Sequence, residues 1–421
     1  MERIISFVGI FVLLGIAWLL SNNKRQINYR VVLWGLLLQF IFAVLILKTA
    51  PGQAVFFYAK AVINQLLSFT DKGAYFLFGN LYLSTPDIAE QIGGGGPFQI
   101  WDSAKQELVD IGMIFAIHVL PTIIFFASLM SVLYHVGIMQ KLVQGMAWVM
   151  AKFMKTSGAE SLSVAANIFV GQTEAPLVIR PYVAGMTMSE LMAVMTGGFA
   201  TIAGGVMAAY VRFGIDAGHL MAASVMSAPA ALVMAKIIFP ETQEPQTAGS
   251  VKIHTEKTTV NVVDAAATGA ADGLRLALNV GAMLLAFLAL LAMIDFLLGL
   301  AGTSLRDILG YIFAPLAITM GVELSDALAF GHLLGTKISI NELVAYLDLA
   351  ALKDQLSPRS FIIGTYALCG FANFGSIAIQ IGGIGGIAPD RRHDLAKIGI
   401  KAMLAGALAS WLTATIAGIL I

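Results

Sequence analysis

Long apolar runs separated by short polar segments dominate the chain. Residues 4–20, 31–47, 111–136, 190–213, 217–239, 274–300, 361–381 and 398–421 each come close to or exceed the roughly 20 residues that cross a bilayer core. They predict about eight transmembrane helices. Residues 53–69 set Lys60, Asn64 and Gln65 among apolar neighbours and read as a helix lying in the membrane interface. Residues 84–107, with Pro86, the run Gly93–Gly96 and several acids, predict an external loop or short helix. Residues 139–155 are amphipathic, carry Lys141, Lys152 and Lys155, and are expected on the cytoplasmic face, as is the polar loop 240–269.

Two regions break this rhythm. Residues 159–170 are apolar but far short of a full crossing, and 175–184 is shorter still. Between them stands Gly171-Gln172-Thr173-Glu174-Ala175-Pro176. Two short arms around a polar tip predict a re-entrant helical hairpin, because broken helix at membrane depth survives only where it lines protein or a cavity. A second interrupted region, about 305–352, holds Pro315, Gly321, Gly331, Gly335, Lys337 and Glu342. After each hairpin comes a related motif, Gly198-Phe199-Ala200-Thr201 and then Gly370-Phe371-Ala372-Asn373. The order of span, hairpin with Glu, span with this motif, and span occurs twice. The predicted topology admits the two hairpins from opposite faces, which makes an inverted repeat of the kind transporters use.

Composition sharpens the class. The chain is 58% hydrophobic and 12% charged, against about 25% charged in soluble domains. Net charge is zero, which gives no support to a nucleic-acid partner. The lone Cys369 excludes an intramolecular disulfide framework. Lys24, Arg25 and Arg30 place the first loop inside, so both termini are expected outside, with the first apolar run retained as a span. The Gly93–Gly96 run lacks the Lys-Ser/Thr of a phosphate-binding loop.

The candidate chemistry sits at the interruptions. A carboxylate at membrane depth costs about 2.5–3.5 kcal/mol on insertion scales, so Glu174 reads as functional, against a plain structural pairing with Arg180 or a lysine. The arm ending near Val170 leaves free carbonyls, and the arm starting near Thr173 leaves free N–H groups. Carbonyls near Asn167 and Val170, with the Asn167 amide and the Thr201 hydroxyl, suit a hard cation such as Na+. Gln172, Thr173 and Glu174 offer donors and acceptors to a neutral polar solute such as a heterocycle edge. Asn373 and Ser376, three apart, are expected on one helix face. With Glu342 they suit a vicinal diol, each hydroxyl of which donates and accepts, and Phe371 could pack on a ring. Interhelical hydrogen bonding alone would also account for Asn373 and Ser376. His118 reads as a packing residue rather than a proton relay.

At this point the residues resemble a known family. GQTEAPLVIRPY, then GFATIAGGVMAAY, then YALCGFANFGSIAIQIGG resembles the concentrative nucleoside transporters, over nearly the whole chain and in a short bacterial form. The resemblance implies an all-α polytopic membrane protein with two opposed hairpins, assembled as a homotrimer and working like an elevator. Residues 1–49, 111–137 and 271–300 would be scaffold helices, and 50–110 an interfacial helix and external loop. Residues 138–239 and 301–421 would form the transport domain, joined by a cytoplasmic loop over 240–270. The activity implied is import of nucleosides such as uridine across a bacterial inner membrane, coupled to Na+ or, in some members, to H+, without catalysis and without a cofactor beyond the coupling ion. Gln172, Thr173, Glu174 and Val206 would contact the nucleobase, and Glu342, Phe371, Asn373 and Ser376 the ribose. Asn167, Val170, Thr201 and Ile202 would ligate Na+, two of them through backbone carbonyls. Thr201 departs from the serine common in the family, keeping the hydroxyl but adding a methyl. An uncoupled channel or facilitator is disfavoured by the lack of charge rings or a carbonyl filter, and a membrane enzyme by the lack of a nucleophile–base pair.

Overall fold

The structure, a computed structural model, describes residues 1–93, 97–103, 106–248, 259–300 and 302–421. Residues 94–96 of the glycine run and 249–258 of the polar loop lie outside the described residues. The chain opens with α1 (Glu2–Leu19), α2 (Tyr29–Lys48), α3 (Ala50–Phe78) and α4 (Pro86–Ile92). A small antiparallel hairpin follows, β1 (Gln99–Asp102) with β2 (Glu107–Asp110), Gln99 facing Asp110. Next come α5 (Phe115–His118), α6 (Leu120–Val136), α7 (Ile138–Met154), α8 (Gly158–Ala166) and, after a 3-10 turn Ala175–Ile179, α9 (Arg180–Val183). Then follow α10 (Met188–Ala200), α11 (Gly204–Arg212), α12 (Ala217–Ile238), α13 (Val262–Gly299) and α14 (Leu305–Thr319). The chain closes with α15 (Ala327–Ser339), α16 (Glu342–Ala351), α17 (Pro358–Leu368), α18 (Phe374–Ile387) and α19 (Arg392–Leu420).

Seven helical stretches among the described residues are long and apolar enough to cross a membrane. The expected span at 361–381 is not among them, because the chain leaves the helix at Cys369–Asn373 and restarts as α18. Asn373 enforces the restart: its side chain accepts the Ser376 N–H as an N-cap, the role for which Asn is strongly preferred. The expected span at 190–213 is likewise divided, α10 ending at Ala200 and α11 starting at Gly204. Both breaks fall in apolar sequence without proline, so hydropathy alone reads through them. Residues 274–300 form only the later part of α13, which starts at Val262 under an Asn261 cap.

The two halves match. The pair α8 and the Ala175–Val183 arm, the broken helix α10/α11, and α12 form one unit. The pair α15 and α16, the broken helix α17/α18, and α19 form the other. They pack through α10, α12, α17 and α19 around a continuous apolar core. Gly370 adopts φ +117°, and a Cβ there would lie 2.5 Å from the Phe199 carbonyl, so the two breaks touch backbone to backbone. Only glycine meets both the dihedral and the approach.

The first two helices pack on α12 and α19. Ser6 Oγ of α1 donates to the Met320 carbonyl at 3.0 Å, and Gln39 Nε2 of α2 donates to Thr413 Oγ1 of α19 at 2.8 Å. Buried Leu13, Ala17, Val31 and Leu38 belong to the same core as α12 and α19. By contrast α13 packs along α6, with Ser128 Oγ donating to the Ala266 carbonyl at 2.8 Å. Helix α3 meets α6 and α12 through Ile63, Leu67, Phe126 and Ala217. The outer faces of α3 and α13 carry Phe57, Tyr58, Phe76, Leu285 and Phe296 exposed, as surfaces solvated by lipid or by another subunit require.

Candidate functional site

The first hairpin is anchored at its base. Ser157 and Thr187 cap α8 and α10 through reciprocal capping boxes with Glu160 and Glu190. Ser157 Oγ also donates to Glu190 at 2.6 Å, and buried Lys236 of α12 pairs with Glu160 at 2.7 Å. These bonds fix the short arm α8 against α10 and α12 and so deliver its tip to the helix breaks.

At the tip the chain turns tightly, with Glu174 N–H and Ala175 N–H both donating to the Gly171 carbonyl. A Cβ on Gly171 would lie 2.3 Å from Glu174 Oε2, so the carboxylate folds back over the turn. Glu174 is exposed and makes no ion pair with Arg180. Thr173 packs its methyl against Gly383 of α18. Gln172 is buried between α10 and α18; its Nε2 donates to Ser376 Oγ at 3.3 Å, and its Oε1 accepts from Gln380 Nε2 at 3.0 Å.

The second set lies across that bond. Glu342 is 5% exposed at the first position of α16, where the helix N-terminus favours a carboxylate. Its oxygens accept from Tyr210 Oη at 3.1 Å and Asn373 Nδ2 at 3.0 Å. Asn373 and Ser376 are not two side chains on one helix face, as expected. Asn373 caps α18, aiming its amide back at Glu342 while the Ser376 hydroxyl reaches Gln172. Gln172, Ser376, Asn373, Glu342 and Tyr210 thus form one connected polar chain. Val206 is buried one turn before Tyr210 on α11, so the two share a face. Phe371 sits in the break itself, 9% exposed.

The residues expected to hold a cation lie on the end of α8 with the hairpin tip and on the α10/α11 break. Asn167 is the C-cap of α8 and 1% exposed; its Nδ2 donates to the Ser163 carbonyl at 3.1 Å while its Oδ1 has no partner. Thr201 ends α10 and donates its hydroxyl to the Gly197 carbonyl at 2.9 Å, leaving lone pairs unused. The tip and the break are joined by Gly204 N–H donating to the Phe169 carbonyl at 3.2 Å. Among the described residues, the carbonyls of Val170 and Ile202 accept no hydrogen bond. Two helix C-termini, a buried orphan amide oxygen and neutral hydroxyl and carbonyl oxygens make a donor set for a hard monovalent cation. No His/Cys/Asp/Glu cluster for a multivalent metal occurs among the described residues.

Three further participants have no role legible in the sequence, although Lys337 stands out in the second interrupted region. Tyr210 and Gln380 lie within apolar spans and act only through the contacts above. Lys337 is fully buried on α15, its Nζ donating to the Ala367 carbonyl at 2.8 Å and the Cys369 carbonyl at 3.3 Å. Its signal was available: a lysine in an apolar segment demands a partner. His118 is a packing residue, buried and held by Ser84 Oγ at 2.9 Å and the Tyr82 ring.

Comparisons with known proteins agree in one direction. A family model described as Na+ dependent nucleoside transporter C-terminus matches residues 219–418, and its N-terminal counterpart matches 8–81. A third, described as nucleoside recognition, matches 116–217. An uncharacterized transporter of Bacillus subtilis (strain 168) is 43% identical over 422 residues, covering 98% of each chain. The sodium/nucleoside cotransporter 1 of Homo sapiens is 40% identical over 443 residues, covering all of this chain and 64% of that longer protein. Among solved structures, CNTnw in an inward-facing substrate-bound state has TM-score 0.89 at 43% identity, covering 100% of this chain and 98% of that one. A CNTnw variant in an outward-facing state matches equally well, with TM-score 0.89.

Proposed function

This chain belongs to the Na+-dependent nucleoside transporter family, and on that premise we propose that it imports nucleosides, uridine among them, through the site assembled above. It is a transporter and not an enzyme, and similar chains solved in inward- and outward-facing states fit alternating access. The observation that carries the site reading is the polar chain from Gln172 through Ser376 and Asn373 to Glu342. It links the first hairpin tip, the start of α16 and the α17/α18 break.

In this reading Gln172, Thr173 and Glu174 hydrogen-bond the base, with Val206 against its face. Entry of the ligand exchanges the Gln172–Ser376 bond for bonds to the nucleoside. Glu342 accepts from the ribose diol, Asn373 and Ser376 complete its hydrogen bonds, and Phe371 packs on the sugar. Na+ binds first, through Asn167 Oδ1, Thr201 Oγ1 and the carbonyls of Val170 and Ile202. It ties the first hairpin to the α10/α11 break and so orders Gln172 for the base. The moving body comprises 138–239 and 301–421 together with α1 and α2, which pack along α19. It travels as an elevator against α3, α6 and α13, in a homotrimer of a bacterial inner membrane with both termini outside.

Equilibrium binding of labelled uridine to the purified protein tests the reading. Binding should require Na+ and be competed by other ribonucleosides but not by free ribose. Equal binding in Na+ and in choline would contradict the sodium part. Competition by ribose alone would contradict the division into base and sugar contacts.

A further inference from the structure

The opening of the polar loop makes bonds that the assignments above do not use. Helix α12 ends at Ile238, and the chain runs on as Phe239-Pro240-Glu241 to Thr247-Ala248. Its polar composition reads as a solvated linker, yet within 242–248 Thr247 alone is buried. The Ala248 N–H donates to the Pro245 carbonyl at 3.1 Å and closes a turn around it.

Thr247 meets the start of α8. A helix leaves its first N–H groups without intrahelical partners. Ser157 Oγ accepts from the Glu160 N–H. The two groups before it go to the loop: the Gly158 N–H donates to the Thr247 carbonyl at 2.9 Å, and the Ala159 N–H to Thr247 Oγ1 at 3.2 Å. Thr247 Oγ1 in turn donates to Glu190 at 3.4 Å. A residue 88 positions along the chain from Ala159 thus completes the cap of the first arm. Its neighbours dock beside it. Thr187 Oγ1 donates to Glu241 at 2.7 Å, and Ser189 Oγ to the Phe239 carbonyl at 2.7 Å. The Gln246 side chain covers Gly185, where a Cβ would lie 2.4 Å from its Oε1. Residues 239–248 therefore form a strap across the base of the first hairpin.

The other end of the same arm is Asn167, the C-cap of α8. The arm between has nine residues, about 14 Å of helical rise. So short a helix is not stable alone, and its order depends on what holds its ends.

We propose that Thr247 is a positioning residue: capping α8 from the polar loop, it holds Asn167 in place for Na+ at the far end of the arm. The inference rests on the sodium reading of the first hairpin. Apparent Na+ affinity then scales with the fraction of chains whose arm is ordered. Linkage makes the effect reciprocal, so Na+ must order the strap as the strap favours Na+.

Hydrogen–deuterium exchange of the purified protein in Na+ and in choline, read by mass spectrometry, tests it. In the parent protein Na+ should slow exchange over 158–170 and over 241–248 together, and by more than over 327–339 of the second hairpin. Thr247→Val keeps the branched shape and loses the hydroxyl. It should speed exchange over 158–170 in choline and raise the Na+ concentration for half-maximal protection about fivefold, and Thr247→Ser should restore both. Protection of 158–170 without the strap, or a Thr247→Val protein with the parent's Na+ titration, overturns the proposal. If Thr247→Val yields no folded protein, the paired protection in the parent decides. Failure of the sodium reading looks different, since the parent then shows no Na+ response in any segment. In that case exchange in choline decides: faster exchange over 158–170 in Thr247→Val supports the strap's hold on the arm, and unchanged exchange overturns it.

Discussion

Replacing Glu342 by Gln should discriminate between ligands with and without a ribose diol. The carboxylate is nearly inaccessible and accepts from Tyr210 and Asn373. Its remaining lone pairs are the ones a diol would use. Two hydroxyls donating to an ionised acceptor are worth about 1.5–3 kcal/mol each. A neutral amide keeps one accepting oxygen and turns the other position into a donor, so about 3 kcal/mol of diol recognition is lost. That corresponds to a rise of roughly 10²-fold in Kd for uridine. The charge also sits at the start of α16, where it contributes about 0.3–1 kcal/mol against the helix dipole. This part acts on stability for every ligand alike. The fold should survive, because the Asn373 amide can still donate to the Gln oxygen and Tyr210 can accept from its nitrogen. The assay is competition binding at saturating Na+ with uridine and 2′,3′-dideoxyuridine. Uridine should weaken by about two orders of magnitude while the dideoxy compound, already weak, barely changes. An equal fold-loss for both, or none for either, would refute the assignment of Glu342 to the sugar.

Three further outcomes follow from the same geometry. Asn167→Ala removes the orphan oxygen and should move the Na+ dependence of uridine binding to about tenfold higher concentration, the equivalent of one ligand worth about 1.4 kcal/mol; an unchanged titration would exclude this residue from the cation site. Gln380→Ala releases Gln172 from its 3.0 Å bond and should weaken uridine by about one net hydrogen bond, ~1 kcal/mol, with Na+ affinity untouched, as read by the same binding assay. Gly370→Ala must adopt φ +117° and bring Cβ to 2.5 Å from the Phe199 carbonyl, so thermal unfolding should show a loss of about 1–3 kcal/mol; a neutral result would mean the two breaks separate freely.

Much of the architecture was legible because lipid imposes a simple rule. A run either reaches about 20 apolar residues or it does not cross, so the short arms on either side of Gly171 declared a hairpin, and α8 with the Ala175–Val183 arm is what the structure places there. The helix breaks at 201–203 and 369–373 were not legible from hydropathy, since their residues are as apolar as the helices they interrupt. What ends those helices is capping and close backbone packing, visible in sequence only as Asn373 and as glycines with many other uses. The same breaks explain why Asn373 and Ser376 were misread as one helix face: the first is outside the helix it caps. The roles of Gln380, Tyr210 and Lys337 are not legible because their partners are more than 25 positions away in the chain. A polar residue in a span declares that a partner exists without naming it. The grouping of α1 and α2 was hidden for a related reason. Their sequences specify apolar faces, and only contacts such as the bonds of Ser6 and Gln39 show which helices those faces meet.

The most direct test of the whole account is accumulation of labelled uridine in proteoliposomes under an inward Na+ gradient, set against an equal K+ gradient. The account predicts uptake above equilibrium with Na+ only, abolished when the gradient is dissipated. Accumulation driven instead by an acid exterior, indifferent to Na+, would contradict the cation site at Asn167 and Thr201, and simple equilibration under every gradient would contradict coupling itself.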